Sequence, residues 1–192
     1  VLVLVMGTVL MATGQTEAFW IFGDDEKEEK KATSDDKLDI LVMPKLVGIP
    51  YFNASEVGAK KAGEDLGVNV IYAGPTKVDA AAQVKMIEDY INKGIDAIAV
   101  APNDPAALTP VLEKAKSKGI AVLDWDTPAD QSLVDYSVRQ VNYSKYGEHI
   151  WNLLVKHMGT DEGKYAILTG GLSAANLNQW IDAGLKHAKE EY

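Results

Sequence analysis

The chain has 192 residues, 47% hydrophobic and 24% charged, which is enough apolar content for a core of ordinary size in one domain or one and a part. A formal charge of −9 argues against a nucleic-acid partner, because phosphate contacts need a basic patch and no Lys/Arg stripe occurs outside one mixed-charge run. The absence of cysteine excludes a disulfide framework, a thiolate nucleophile and a Cys-ligated zinc.

The first stretch, VLVLVMGTVLMATGQTEA at 1–18, starts without methionine, runs apolar, and turns to small and polar residues with Thr16-Glu17-Ala18 as a small-x-small cleavage site. It reads as a secretory signal truncated at its start, too short for a transmembrane helix, which needs about 20 apolar residues; a buried first strand is the alternative. Residues 19–37 follow, with eight consecutive charges of both signs from Asp24 to Lys31. Such a run cannot bury enough surface to offset ordering and is expected to be a solvated tether, or else a short exposed helix with Glu–Lys pairs.

From Leu38 onward short Ile- and Val-rich runs alternate with helical stretches. Strands are expected at 39–43, 68–72, 96–101 and 120–123, and helices at 53–66, 78–93 and 105–118, with Gly67, Gly94 and Gly119 as stops. Asp104-Pro105 provides an N-cap followed by proline at the first helical position. Apolar runs of this kind indicate strands buried on both faces, so the expected fold class is α/β, a doubly wound parallel sheet with helices on both faces. A further strand at 133–138 leads to Arg139, Gln140 and Asn142. A helix at 143–158, a strand at 164–170 and a last helix from about 174 complete the pattern. The expected division is a first lobe over 38–141 and the start of a second, incomplete lobe over 142–192.

Ligands of open α/β sheets sit beyond the carboxyl ends of the strands. Lys45, Tyr51 and Phe52 follow the first strand there, Asn103 and Asp104 the third, and Asp124, Trp125, Asp126 and Thr127 the fourth. Ser173, Asn176, Asn178, Gln179 and Trp180 follow the last. This is the chemistry of a polyol site: a carboxylate accepts from two neighbouring hydroxyls, lysine and amides bond the other oxygens, and aromatic faces cover the C–H side of a sugar ring. The blander alternatives are a solvated Lys45 and core positions for Tyr51 and Phe52. Asp124 is expected to be a helix cap or a solvated group, and Asp126 the better ligand candidate.

Neither GxGxxG nor GxxxxGK[ST] follows a strand, so no nucleotide cofactor is expected; Gly170 and Gly171 more simply make a sharp turn. His149, His157 and His187 lack metal-ligand spacing and are expected at the surface, with no metal. No GxSxG elbow occurs and no catalytic machinery is visible, which speaks against an enzyme.

The segments MPKLVGIPYFNASEVGAKKAGEDLGVNVIYAGPT, QVKMIEDYINKGIDAIAVAPND and GIAVLDWDTP resemble the periplasmic sugar-binding proteins of ABC transporters, in the branch containing rhamnose- and autoinducer-2-binding proteins. The resemblance runs from about 38 to 192, with PKLVG, the WD after the fourth strand and NQW as its more specific motifs. It implies two lobes closing on a sugar in the periplasm, a membrane permease as partner, a monomer when complete, and no cofactor. It places ligand-binding positions on Lys45, Tyr51, Phe52, Asp126 and Asn176, while Asn103 comes from its strand-end position. The autoinducer-2 pattern DQNQW is broken here, since Asn176 replaces the acid and Leu177 the amide, and a deoxyhexose such as rhamnose, or another pentose or hexose, fits better. A periplasmic sugar sensor for chemotaxis or signalling would use the same lobe. A LacI-type regulator would instead begin with a basic helix-turn-helix.

Overall fold

The alternation of strand and helix is realised from Asp39 onward in a computed structural model that describes residues 37–192. The expected leader at 1–18 and all but the last residue of the expected tether lie outside the described residues. Strands β1 (Asp39–Met43), β2 (Asn69–Tyr72), β3 (Ala97–Val100), β4 (Ala121–Trp125) and β5 (Tyr136–Val138) form one sheet, ordered β2-β1-β3-β4-β5 with every pairing parallel. The order reverses between β1 and β3, so the loops after these two strands part in opposite directions and open a crevice there.

The helices are α1 (Pro50–Leu66), α2 (Ala80–Lys93), α3 (Pro105–Ser117), α4 (Tyr143–Met158) and α5 (Ala175–Glu191). α1 begins before the expected residue 53 because Pro50, its φ already helical, can occupy the first turn. Tyr51 and Phe52 therefore stand on a helix and not in a turn. Asp79 and Asp104 cap α2 and α3 by accepting from backbone N–H groups of their first turns.

Side chains alternate across each strand, and the two sides are not equally dry. Leu41, Met43, Ile98, Val100 and Val122 are fully buried against Ile87 and Ile91 of α2 and Leu108, Val111 and Leu112 of α3. The intervening residues Ile40, Val42, Ala97, Ala99 and Leu123 are half-buried, short of the burial on both faces that the apolar runs suggest. α1 covers this second side: Phe52 meets the Trp125 ring edge-on at 5.7 Å, and Gly63 lies so near the sheet that a Cβ there would come within 2.7 Å of Val70.

Beyond Asn142, α4 and α5 run alongside each other in the same sense. Tyr146 packs on Trp180 at a ring distance of 4.8 Å, Gly147 meets Gly184, and Asn152 lies against His187 and Tyr192. The expected strand at 164–170 does not form. A strand exists through a neighbour's backbone ladder, and no other strand of the described residues reaches this segment, which leaves Leu168 99% exposed. No helix of the described residues is long and apolar enough to cross a membrane.

The Gly147–Gly184 approach makes a sharp test. A Cβ on Gly147 would lie 2.8 Å from both Ala183 Cβ and Gly184 N, whereas one on Gly58, in α1, would meet nothing within 4 Å. Gly147→Ala should destabilise by about 1–3 kcal/mol and Gly58→Ala should stabilise by about 0.5–1 kcal/mol, both read from urea midpoints.

Candidate ligand-binding site

A buried amide organises the crevice. Gln83 of α2, 0% exposed, donates Nε2 to the carbonyls of Pro44 (3.0 Å) and Ala101 (2.9 Å), and its Oε1 accepts from Asn103 N at 2.8 Å. It thereby ties the loop after β1 to the loop after β3. Asn103 continues the tie by donating Nδ2 to the Lys45 carbonyl at 2.8 Å, and Ser173 Oγ donates to the Asn103 carbonyl at 3.1 Å. Both loop backbones are thus committed before any side chain reaches the crevice.

Lys45 extends into that framed space and donates Nζ to Asn176 Oδ1 at 3.0 Å, with Asp126 Oδ2 at 3.3 Å. Burial pulls the Lys45 amine below its ordinary pKa of 10.5, against the opposing attraction of Asp126. Lys45 is therefore not a solvated loop lysine.

Asp126 sits on strained backbone. It is the sole non-glycine residue with positive φ among the described residues (φ 62°), and Thr127 N donates back to the Trp125 carbonyl at 2.6 Å. A bond between residues two apart around a positive φ is the rare γ-turn, a conformation costing about 1–3 kcal/mol and found mainly where function holds it. Its Oδ1 accepts from the Tyr51 hydroxyl (2.9 Å) and Gln140 Nε2 (3.0 Å), while Oδ2 accepts from Thr127 Oγ1 (3.0 Å) and lies 3.5 Å from Asn176 Nδ2. The Tyr143 hydroxyl donates to its carbonyl at 2.7 Å. Burial first, and then the hydrogen bond to Asp126 and that residue's negative charge, push the Tyr51 phenol up to about 12.

The structure thus brings Lys45, Tyr51, Asp126 and Asn176 into one cluster, with Asn103 directly behind Lys45. Phe52 stands one layer back, 4% exposed, with its ring edge-on to Tyr51 and Trp125; its place is in the core under the site. His149 and His157 are exposed and His187 is half-buried. Among the described residues no three His, Asp or Glu side chains gather as a metal site requires.

Asp124 differs from expectation. It is neither a cap nor solvated but 0% exposed, paired with the Arg139 guanidinium through Nη1–Oδ1 and through Nη2–Oδ2 at 3.1 Å. Ala129 N (2.8 Å) and Gln131 Nε2 (2.7 Å) complete its shell. Alternation along Leu123-Asp124-Trp125 turns it to the α2–α3 side, where a lone charge would be untenable. Gln83, Gln140, Tyr143 and Arg139 all act here without a motif to announce them; the signal available was a polar residue at an apolar helix position, as for Gln83, or just after the last strand of the lobe.

The family described as periplasmic binding protein domain matches residues 40–192. The chain belongs to this family. The D-ribose/D-allose-binding protein of Pseudomonas aeruginosa is 29% identical over 157 residues, covering 80% of this chain and 45% of the relative. Among solved structures, an ABC transporter solute binding protein from Clostridium phytofermentas with bound L-rhamnose superposes with a TM-score of 0.77 at 28% identity, covering 81% of this chain and 48% of the other. LsrB from Clostridium saccharobutylicum in complex with AI-2 superposes with a TM-score of 0.72 at 28% identity, covering 81% and 50%. The chain spans about half the length of these three proteins.

The Asp124 pair has a pH signature. Burial raises its carboxyl pKa, but Arg139, the Ala129 amide, Ser137 and Gln131 together outweigh that and hold it below the ordinary 3.8. A depressed carboxyl contributes stability above its unfolded pKa and loses it as pH falls through the folded one. Melting temperature should therefore drop as pH falls below 3.8. Asp124→Asn should lower it at neutral pH, by leaving Arg139 unpaired, and flatten that acid limb in melts recorded between about pH 7 and pH 2.

Proposed function

We propose that this chain is the ligand-binding part of a substrate-binding component of an ABC transporter, which holds a monosaccharide or related small polyol in the periplasm and passes it to a membrane permease. It binds its ligand and does not transform it. The observation that carries the reading is the convergence of one ammonium, one carboxylate, a phenol and amides at the carboxyl ends of β1, β3 and β4. Lys45 and Asp126 balance in charge, and the remaining groups are neutral donors and acceptors, as a neutral polyhydroxyl ligand requires. Asn103 Oδ1 is buried without a hydrogen-bond partner among the described residues, an acceptor that a ligand hydroxyl would satisfy. The bound L-rhamnose of the Clostridium phytofermentas protein and the D-ribose/D-allose name of the Pseudomonas relative support the same class. Autoinducer-2 is the weaker candidate: Leu177, in place of an amide, turns to the apolar side of α5 and lines a cavity of about 430 Å³ with Trp151, Tyr165 and Trp180.

We read residues 142–192 as the opening of a second lobe, and the whole protein as a monomer that closes on its ligand between two lobes. The exposed Leu168 and the unladdered segment at 164–170 support this, because such a run is stable as a strand only beside neighbours. Amide exchange in the chain should be fast over 164–172 and slow over β1, β3 and β4. Equal protection across both would remove the lobe boundary.

A thermal-shift screen of monosaccharides tests the main reading. The best ligand at about 100 times its Kd should add about 2.7 kcal/mol of stability. Asp126→Ala should weaken its binding by about ten- to a hundredfold in calorimetric titration, while an unchanged affinity would move the ligand away from this cluster.

A further inference from the structure

An ionised carboxylate offers about four lone-pair positions, two on each oxygen. On Asp126 the two at Oδ1 are taken, by the Tyr51 hydroxyl at 2.9 Å and Gln140 Nε2 at 3.0 Å. At Oδ2 Thr127 is near at 3.0 Å, Lys45 stands at 3.3 Å and Asn176 Nδ2 at 3.5 Å, the longest of the set. The longest contact, and by distance the weakest, is thus the Asn176 amide at Oδ2.

Gln140 is placed for this by its neighbours on both sides. It lies in the 139–142 crossover next to Arg139, whose guanidinium is anchored on buried Asp124. Its Oε1 faces the Tyr143 hydroxyl at 3.4 Å, and that hydroxyl donates to the Asp126 carbonyl at 2.7 Å. Turning the amide over would set Oε1 against the carboxylate, so the chemistry selects the orientation with Nε2 inward. The residue is open to solvent, yet its amide reaches a carboxylate only 7% exposed.

We propose that Gln140 is a positioning residue for specificity: with Tyr51 it occupies Asp126 Oδ1, so that Asp126 presents Oδ2 alone and reads one ligand hydroxyl instead of a neighbouring pair. The hydroxyl takes the place of Asn176 Nδ2, and Lys45 and Asn176 are left to read the oxygens beside it. This rests on the monosaccharide reading, and the sequence-level expectation of an aspartate accepting from two hydroxyls is narrowed by it.

Two variants of the full protein test the proposal. In calorimetric titration with the best sugar of the screen and its monodeoxy analogues, removal of one hydroxyl should weaken binding to the parent protein most. Gln140→Leu should weaken binding of the intact sugar by about tenfold and leave the affinity for that one deoxy analogue nearly unchanged. Equal losses for all sugars would mean a merely structural role and overturn it, as would two neighbouring deoxy positions of equal weight. The second variant needs no sugar. Gln140→Glu sets a second carboxyl against Oδ1, in a surrounding whose other titratable groups are Lys45 after β1, Tyr51 on α1 and Tyr143 on α4, with Arg139 engaged by Asp124. A carboxyl pair shares a proton, so the new group's folded pKa rises, and its contribution to stability is lost as pH rises. The gap in melting temperature to the parent should widen from about pH 4.5 to pH 8 for Gln140→Glu and stay constant for Gln140→Leu. A constant gap in both shows that Gln140 does not hold Asp126 and overturns the proposal. If the parent binds no sugar of the screen, the monosaccharide reading falls and the hydroxyl assignment with it, while the melting series still decides the Gln140–Asp126 contact.

Discussion

The β4 side of the crevice, where Asp126 and Gln140 stand, depends on one buried ion pair. Asp124 is fully buried, and a carboxylate in that position would be strongly destabilising without a matched cation. Arg139 supplies it from the segment just past β5, and Ala129 and Gln131 fill the remaining acceptor positions from the loop after β4. The pair therefore pulls two separate stretches of chain, 126–131 and 139–142, onto the end of one strand. Those stretches carry Asp126, Thr127 and Gln140. The charged residue that touches no ligand candidate sets the position of those that do.

Two aspartates one residue apart in Leu123-Asp124-Trp125-Asp126 divide this labour. Alternation sends Asp124 to the α2–α3 side and Trp125 to the α1 side, where Phe52 meets it. A regular strand would return Asp126 to the Asp124 side. The γ-turn prevents this: the strand ends at Trp125, φ at Asp126 becomes positive, and the carboxylate swings to Tyr51 and Lys45. Backbone strain is thus what separates the acid buried against Arg139 from the one that meets Lys45 and Tyr51.

Most of the architecture was legible from the residues because it rests on local rules. Apolar runs, the capping Asp104 and stopping glycines mark the elements from β1 to α4, and the parallel sense of the sheet follows from the crossovers. Lys45 and Asp126 could be picked out because strand ends of an open sheet are a small set of positions. Asn176 needed the family resemblance. What stayed hidden is long-range. Gln83 reads as an ordinary helix residue until the two loops it bridges are brought 39 and 18 positions across the sequence to it. Asp124 reads as a surface acid until Arg139 arrives. The strand expected at 164–170 fails for the opposite reason: its residues suit a sheet, but a sheet is a property of neighbours.

The contact between Lys45 Nζ and Asn176 Oδ1 joins residues 131 positions apart and links the first loop of the sheet to the start of α5. It also acts as an internal competitor. An ammonium has three N–H donors, and a ligand oxygen that took the one now held by Asn176 would compete with an amide already at 3.0 Å, lowering its apparent affinity by the factor that this exchange costs. A ligand oxygen and the Asn176 amide would then draw on the same donor, and a change that lengthens the lysine–amide contact would tighten binding without adding a contact.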